Sequence, residues 1–226
     1  MGNLYLKQML LGPMQNFVYL VGDRDSRRAV VVDPAWEVDR ILDTLAADEM
    51  RLEAALVTHF HPDHLGGNLM GHQIEGAAEL LERNQQIKVH IHKSEADYVP
   101  RISGLSKSDL VLVEGGDEIA VGDQRLRYLH TPGHTPGSQC FLVGNNLISG
   151  DTLFIGGCGR VDLPGSDAAQ MYDSLVNKLR MLPDDTVLYP GHDYADRPTS
   201  TIGEEKRRNV CLRFNRLDDF LQMMGY

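Results

Sequence analysis

Apolar positions fall along this chain with two periods, and the switch between them marks out its elements. Residues 4–11 and 16–21 are apolar-rich runs of strand length, separated by the turn Gly12-Pro13. Ala29, Val30, Val31 and Val32 predict a third strand, which stops at Asp33-Pro34. Residues 38–47 change period: Val38, Ile41, Leu42 and Leu45 form one stripe of a helix. The run Leu52-Glu53-Ala54-Ala55-Leu56-Val57 then predicts a buried strand.

The alternation continues. Residues 74–83 predict a helix and 87–91 a strand, with Ser94 placed to cap a short helix beyond. From 110 to 143 the pattern breaks into short strands at 111–113, 118–121, 126–129 and 140–143, divided by glycine-rich turns. Asn145-Asn146 predicts a hairpin turn into Leu147-Ile148-Ser149. Ser166-Asp167 begins a helix to about residue 180, residues 186–189 predict a last strand, and 203–223 a closing helix. The first half loosely echoes the second, which predicts two similar halves packed face to face. Neither a fixed-period repeat nor a linker-like stretch interrupts them. Residues 1–226 are therefore expected to form one domain, with a C-terminal helix at about 203–223.

Composition narrows the function. A chain of 226 residues with 42% hydrophobic content can bury a full core. A net charge of −10 argues against a nucleic-acid partner, and the acidic residues are scattered rather than clustered. No apolar run approaches the length of a membrane span. Lys7 is the only early cation, so no secretory signal is expected, and Leu6 stands where a myristoylation signal has Ser or Thr after Gly2. Cys140, Cys158 and Cys211 form no CxxC pair, which suits free thiols in a reducing cytoplasm.

The chemistry concentrates in Thr58-His59-Phe60-His61-Pro62-Asp63-His64-Leu65-Gly66-Gly67, at the end of the buried strand. Three imidazoles and a carboxylate within six residues, none at helical spacing, suit zinc, iron or manganese and have no structural explanation. Three later strands also end in Gly-flanked turns carrying a ligand type: His134 in Thr131-Pro132-Gly133-His134, Asp151 in Ser149-Gly150-Asp151, and His192 in Tyr189-Pro190-Gly191-His192. Seven candidates exceed what one tetrahedral ion needs, but suit two ions bridged by a carboxylate. His90 and His92 repeat the His-x-His spacing without an Asp-His pair after it, so a structural role is expected for them. The same holds for His72, His130 and Cys158.

These motifs, from about residue 15 to 210, resemble the metallo-β-lactamase-fold superfamily. The resemblance implies an α/β fold, a four-layer αββα sandwich with metal at the edge between its sheets. It also implies that His59, His61 and His134 hold metal 1, that Asp63, His64 and His192 hold metal 2, and that Asp151 bridges them. β-Lactamases have Cys where Asp151 stands, flavodiiron proteins have Glu where His61 stands, and nucleic-acid-processing members carry extra domains or basic arms. Residues 150–160 are most similar to glyoxalase II-like thioester hydrolases and to persulfide dioxygenases. Residues 200–209 resemble the small bacterial glyoxalase II-like proteins and, more loosely, the dioxygenases. There are departures. Glyoxalase II usually has Lys where Arg160 stands and a larger helical domain, and dioxygenases have Thr and Phe where Val161 and Leu163 stand.

The resemblance therefore implies hydrolysis of a small acyl thioester, of the hydroxyacylglutathione hydrolase type, by a metal-bound hydroxide. Two divalent ions are expected, zinc first, with iron or manganese as the other candidates. Asp63 would act catalytically by holding metal 2 and orienting the hydroxide. Arg160, with a fork suited to bidentate pairing, would take a substrate carboxylate. Tyr194 matches a position that contacts the thiol portion in glyoxalase II. The alternative is an iron-dependent persulfide dioxygenase acting on glutathione persulfide, its iron held by His59, His134 and Asp151. In either case the partner is a small thioester or thiol-derived molecule, with neither nucleic acid nor membrane involved.

Overall fold

In the computed structural model, which describes residues 3–226, the predicted periods become two six-stranded sheets stacked face to face and covered by helices. Met1 and Gly2, on which the N-terminal expectations partly rest, lie outside the described residues.

The first sheet opens with the hairpin β1 (Leu4–Leu11) and β2 (Asn16–Asp23), and β3 (Arg28–Val32) continues it antiparallel. α1 (Val38–Ala47) crosses to β4 (Arg51–Leu56), which lies parallel to β3. After β4 come the single-turn α2 (Pro62–Leu65), a small hairpin of β5 (Gly67–Leu69) and β6 (His72–Ile74), and α3 (Ala77–Arg83). β7 (Val89–His92) follows parallel to β4, then α4 (Val99–Ser103) and β8 (Leu110–Val113), parallel to β7. The second sheet begins as an antiparallel meander of β9 (Glu118–Val121), β10 (Gln124–His130), β11 (Gln139–Val143) and β12 (Asn146–Gly150). The two-residue strands β13 (Leu153–Phe154) and β14 (Gly157–Cys158) form a hairpin, and α5 (Ala168–Tyr172) leads to β15 (Val187–Pro190), parallel to β12. β16 (Ser200–Thr201), α6 (Ile202–Arg208) and α7 (Leu217–Met224) close the described chain.

The two-residue period of the strands decides the layers. Phe17, Tyr19 and Val21 face Tyr128, Phe141 and Ile148 between the sheets. Val18 and Leu20, on the opposite face of β2, pack with Val38, Ile41 and Leu45 of α1 and Leu80 of α3. On the second sheet Cys140, Leu147 and Leu188 face outward onto Met171, Leu175, Ile202 and Phe220. A one-residue slip would exchange these faces, and because both are buried in β2 the cost would be misfitted packing, about 1–3 kcal/mol at each overfilled position. The result is the αββα sandwich.

Several elements differ from expectation. Residues 203–223 are two helices and not one. Asn209 is fully buried and extended (φ −78°, ψ 117°), because its amide holds the β13–β14 hairpin. Its Nδ2 donates to the main-chain oxygens of Phe154 at 3.0 Å and Gly157 at 2.9 Å, and its Oδ1 accepts from the Cys211 N–H at 2.9 Å. A helical Asn209 would lose those bonds. Ser94 caps nothing: it lies inside a 3₁₀ turn, Lys93–Glu95, and its own N–H donates to His92 Nδ1 at 3.3 Å. Asp167 does cap the next helix, accepting from the Gln170 N–H at 2.9 Å, but the chain widens into π turns over Asp173–Lys178. Among the described residues no helix is long and apolar enough to cross a membrane.

Candidate metal centre

Parallel strands end at the same edge of a sheet, and both sheets use that edge. β3 and β4 run parallel with Val32 beside Leu56, so Asp33 and the Thr58–His64 segment emerge side by side. β12 and β15 run parallel in the second sheet, so Asp151 and His192 emerge together in the same way. Thr58 O accepts from the Gln139 N–H at 2.9 Å, which joins the end of β4 to the start of β11 and brings the two edges together. Pro62 at the first position of α2 fixes the turn, and the turn directs Asp63 and His64 into the seam. A side chain at Gly191 is excluded, since its Cβ would lie 2.4 Å from Asp151 Oδ1.

All seven predicted ligands converge there, in three overlapping sets. Donor atoms of His59, His61 and His134 lie within 4.8 Å of one another, as do those of His59, His64 and Asp151, and those of Asp63, His64 and His192. In the first set His61 Nδ1 is 3.0 Å from His59 Nε2 and 3.0 Å from His134 Nε2. In the set of Asp63, His64 and His192, His64 Nε2 is 3.2 Å from His192 Nε2, and Asp63 Oδ2 is 3.4 Å from each. Asp151 reaches into both, 3.4 Å from His192 Nε2 and 3.7 Å from His134 Nε2.

The outward hydrogen bonds of the rings determine which nitrogens face inward. His134 Nδ1 lies 2.8 Å from Arg160 O and His192 Nδ1 lies 3.0 Å from Met14 O. A carbonyl oxygen only accepts, so both Nδ1 atoms carry the proton and both Nε2 lone pairs point into the site. His64 Nδ1 is likewise held at 2.9 Å by Asp33 Oδ2. Lone pairs converging at 3.0–3.2 Å repel unless a cation lies between them. Bonds of about 2.0–2.1 Å to a tetrahedral ion put neighbouring donors at roughly this separation. Asp151 Oδ1 is buried and accepts no hydrogen bond. The donor set therefore fits divalent cations.

Electrostatics agree. Burial, then the neighbouring imidazoles, push His59 well below its ordinary pKa, and burial with His134 brings His61 down to about 4. Both are neutral, as a ligand must be. Burial opposes ionisation of Asp63 and Asp151, yet His64, together with Asn16 at Asp63 and His192 at Asp151, holds both below the usual carboxylate range. Burial also opposes charge on His64, but Asp151, Asp63 and Asp33 raise its pKa well above the ordinary value. The site demands positive charge.

Three supporting residues were not apparent in the sequence. Asp33, 3% exposed, accepts from the Thr58 N–H and hydroxyl at 2.7 Å each as well as holding His64. Asn16 donates to Asp63 O at 2.9 Å and Oδ2 at 3.0 Å. Glu95 is fully buried behind the ligand loops, accepting from the Thr135 hydroxyl and from the Gly137 N–H at 3.0 Å. The one signal for Asp33 was its place after a strand at the ligand edge.

The predicted substrate residues lie at the rim. Tyr194 is 57% exposed and stacks flat on His192, with ring centroids 4.6 Å apart. The Arg160 guanidinium is exposed but already bidentate with Asp162, both contacts 2.8 Å. The other histidines stand apart from the ligand sets: His90 hydrogen-bonds Tyr128, His92 and His130 stack on each other at 3.8 Å, and His72 is exposed on β6. Cys158, half-buried on β14, is a free thiol.

Comparison with known proteins agrees on the family and divides over the activity. The sequence profile of the Metallo-beta-lactamase superfamily matches residues 11–192. The chain is 31% identical over 206 residues to the "Probable polyketide biosynthesis zinc-dependent hydrolase BaeB" of Bacillus velezensis, covering 91% of this chain and 85% of that one. It is 32% identical over 226 residues to the human mitochondrial "Persulfide dioxygenase ETHE1", covering 98% and 81%. It is 38% identical over 187 residues to a "Hydroxyacylglutathione hydrolase" of Synechococcus sp., covering 79% and 65%. The solved structure of ETHE1 from Myxococcus xanthus superposes with a TM-score of 0.82 at 34% identity, covering 97% of this chain and 89% of that one.

Proposed function

Because this chain belongs to the metallo-beta-lactamase superfamily, a family of hydrolases and oxygenases that bind divalent metals, we propose that it is a dinuclear hydrolase of a small acyl thioester, of the hydroxyacylglutathione hydrolase type. The observation that supports this best is the second donor set. Asp63, His64 and His192 assemble beside His59, His61 and His134, with Asp151 in reach of both.

His59, His61 and His134 would hold the first ion, Asp63, His64 and His192 the second, and Asp151 both. Zinc is the first candidate, with iron or manganese as the others. Two such ions would polarise a carbonyl and lower the pKa of bound water from about 15.7 toward roughly 7. Asp63, its Oδ2 steadied by Asn16, is placed to orient the attacking water. Tyr194 forms a wall over His192 against which the thiol portion can lie. Arg160 meets a substrate carboxylate by exchanging it for Asp162. A thiolate leaves readily, so no dedicated acid is required. We also place residues 1–226 in one domain and the protein in the cytoplasm, where its free cysteines stay reduced.

A second possibility, an iron-dependent persulfide dioxygenase acting on glutathione persulfide, is favoured by the similarity to the human and Myxococcus proteins. One experiment decides between the two: metal analysis of protein purified without added metal, with parallel assays of thioester hydrolysis and of persulfide-dependent oxygen uptake. Two ions per chain with thioester turnover is the expected result. Iron alone, with oxygen uptake and no thioester turnover, would replace the hydrolase with the dioxygenase.

A further inference from the structure

Trp36, the only tryptophan in the chain, is held in a backbone conformation that its size disfavours, with φ at 76°. A bulky residue persists there only when its surroundings enforce it, and such positions cluster at functional sites. Here the enforcement is visible. The Trp36 N–H donates to Glu75 O at 2.8 Å. The indole lies directly on Gly12, where a Cβ would come within 2.4 Å of ring atoms Cγ and Cδ2. The strained turn aims one polar atom. Trp36 Nε1–H donates to Asn16 Oδ1 at 2.9 Å.

That bond fixes the Asn16 amide, which is 1% exposed. With its oxygen engaged by the indole, its nitrogen faces Asp63 and donates to both the main-chain oxygen and Oδ2. The flipped amide would set oxygen against carboxylate. The hydrogen bonds therefore run from Trp36 through Asn16 to Asp63, and none of them touches His59, His61 or His134.

We propose that Trp36 is a positioning residue, acting through Asn16 to aim the Asp63 carboxylate at the second ion alone. This rests on the dinuclear assignment above. Partners that orient a metal ligand are typically worth 10–100-fold in metal affinity. Loss of the indole N–H therefore weakens the second ion by about that factor and leaves the first unchanged. The lone indole is also an internal reporter, since zinc has no redox chemistry and a filled d shell.

The test titrates zinc alone into metal-stripped full chain and reads two signals. Tryptophan emission of the wild type should change with the second equivalent of zinc and not with the first. Calorimetric titration of Trp36→Phe, which keeps a ring on Gly12, and of Asn16→Ala should show second-site affinity reduced 10–100-fold with the first within threefold. Emission that follows the first equivalent overturns the proposal. Second-site affinities within threefold of wild type in both variants do the same, and leave the dinuclear assignment standing. A single zinc per wild-type chain overturns both together.

Discussion

Asp151 is, with Asp63, one of two carboxylates among the seven candidate ligands, and of these it alone lies near imidazoles of both donor sets. Asp151→Ala should therefore lose tight binding of both ions, while His192→Ala should keep the first and release the second. Metal content after equilibrium dialysis distinguishes the two, and two tightly held ions in Asp151→Ala would refute bridging. At this scale the convergence of the seven candidate ligands was legible, because polar residues crowded into turns after buried strands have no evident folding purpose. Asp33, Asn16 and Glu95 were not, because each is a single ordinary residue. Asp33 works with a partner 25 positions away and Asn16 with one 47 positions away.

Between residue and molecule lie the loops, and Glu95 ties two of them. Burial pushes its carboxyl up to about 7, against the pull of its bonds to Thr135 and Gly137. The folded state thus holds the proton more tightly than the unfolded chain does. The associated stability is complete below about pH 4.5 and disappears as pH rises through about 7. Glu95→Gln keeps an acceptor for both donors without the proton. Relative to that variant, the wild type should lose on the order of 3 kcal/mol between pH 4.5 and 8, at about 1.4 kcal/mol per pKa unit. Urea unfolding of both proteins across that range measures it, and a difference that stays constant with pH would mean that Glu95 is ionised throughout. Long strands and α1 could be read from their periods. The hairpins β5–β6 and β13–β14 could not, since two or three residues carry no period, and the break at Asn209 depends on a hairpin 52 to 55 residues earlier.

At the scale of the molecule, two similar halves packed face to face were legible in the echo between them, and the four layers in the resemblance that the motifs carry. The seam between the halves was not, because the contacts that close it are main-chain bonds between distant turns, such as Phe17 N–H to Gly191 O and Asp193 N–H to Gln15 O. Both donor sets draw on both sheets, so metal and fold should be linked. Stripping the metal should lower the melting temperature, and zinc should restore it in proportion to the logarithm of its concentration, worth about 4 kcal/mol at a thousandfold excess over Kd. Scanning calorimetry across a zinc series checks this. The spacing of the ligands along the chain carries a further consequence. His61 meets His134 across 73 positions and His64 meets His192 across 128. Each ion would therefore close a long loop of backbone, as a disulfide does, and restrict the unfolded chain most where the loop is longest. The loaded and stripped proteins would then differ less in shape than in connectivity. One would be a chain clasped into two overlapping loops, and the other a linear polymer free to open from the seam.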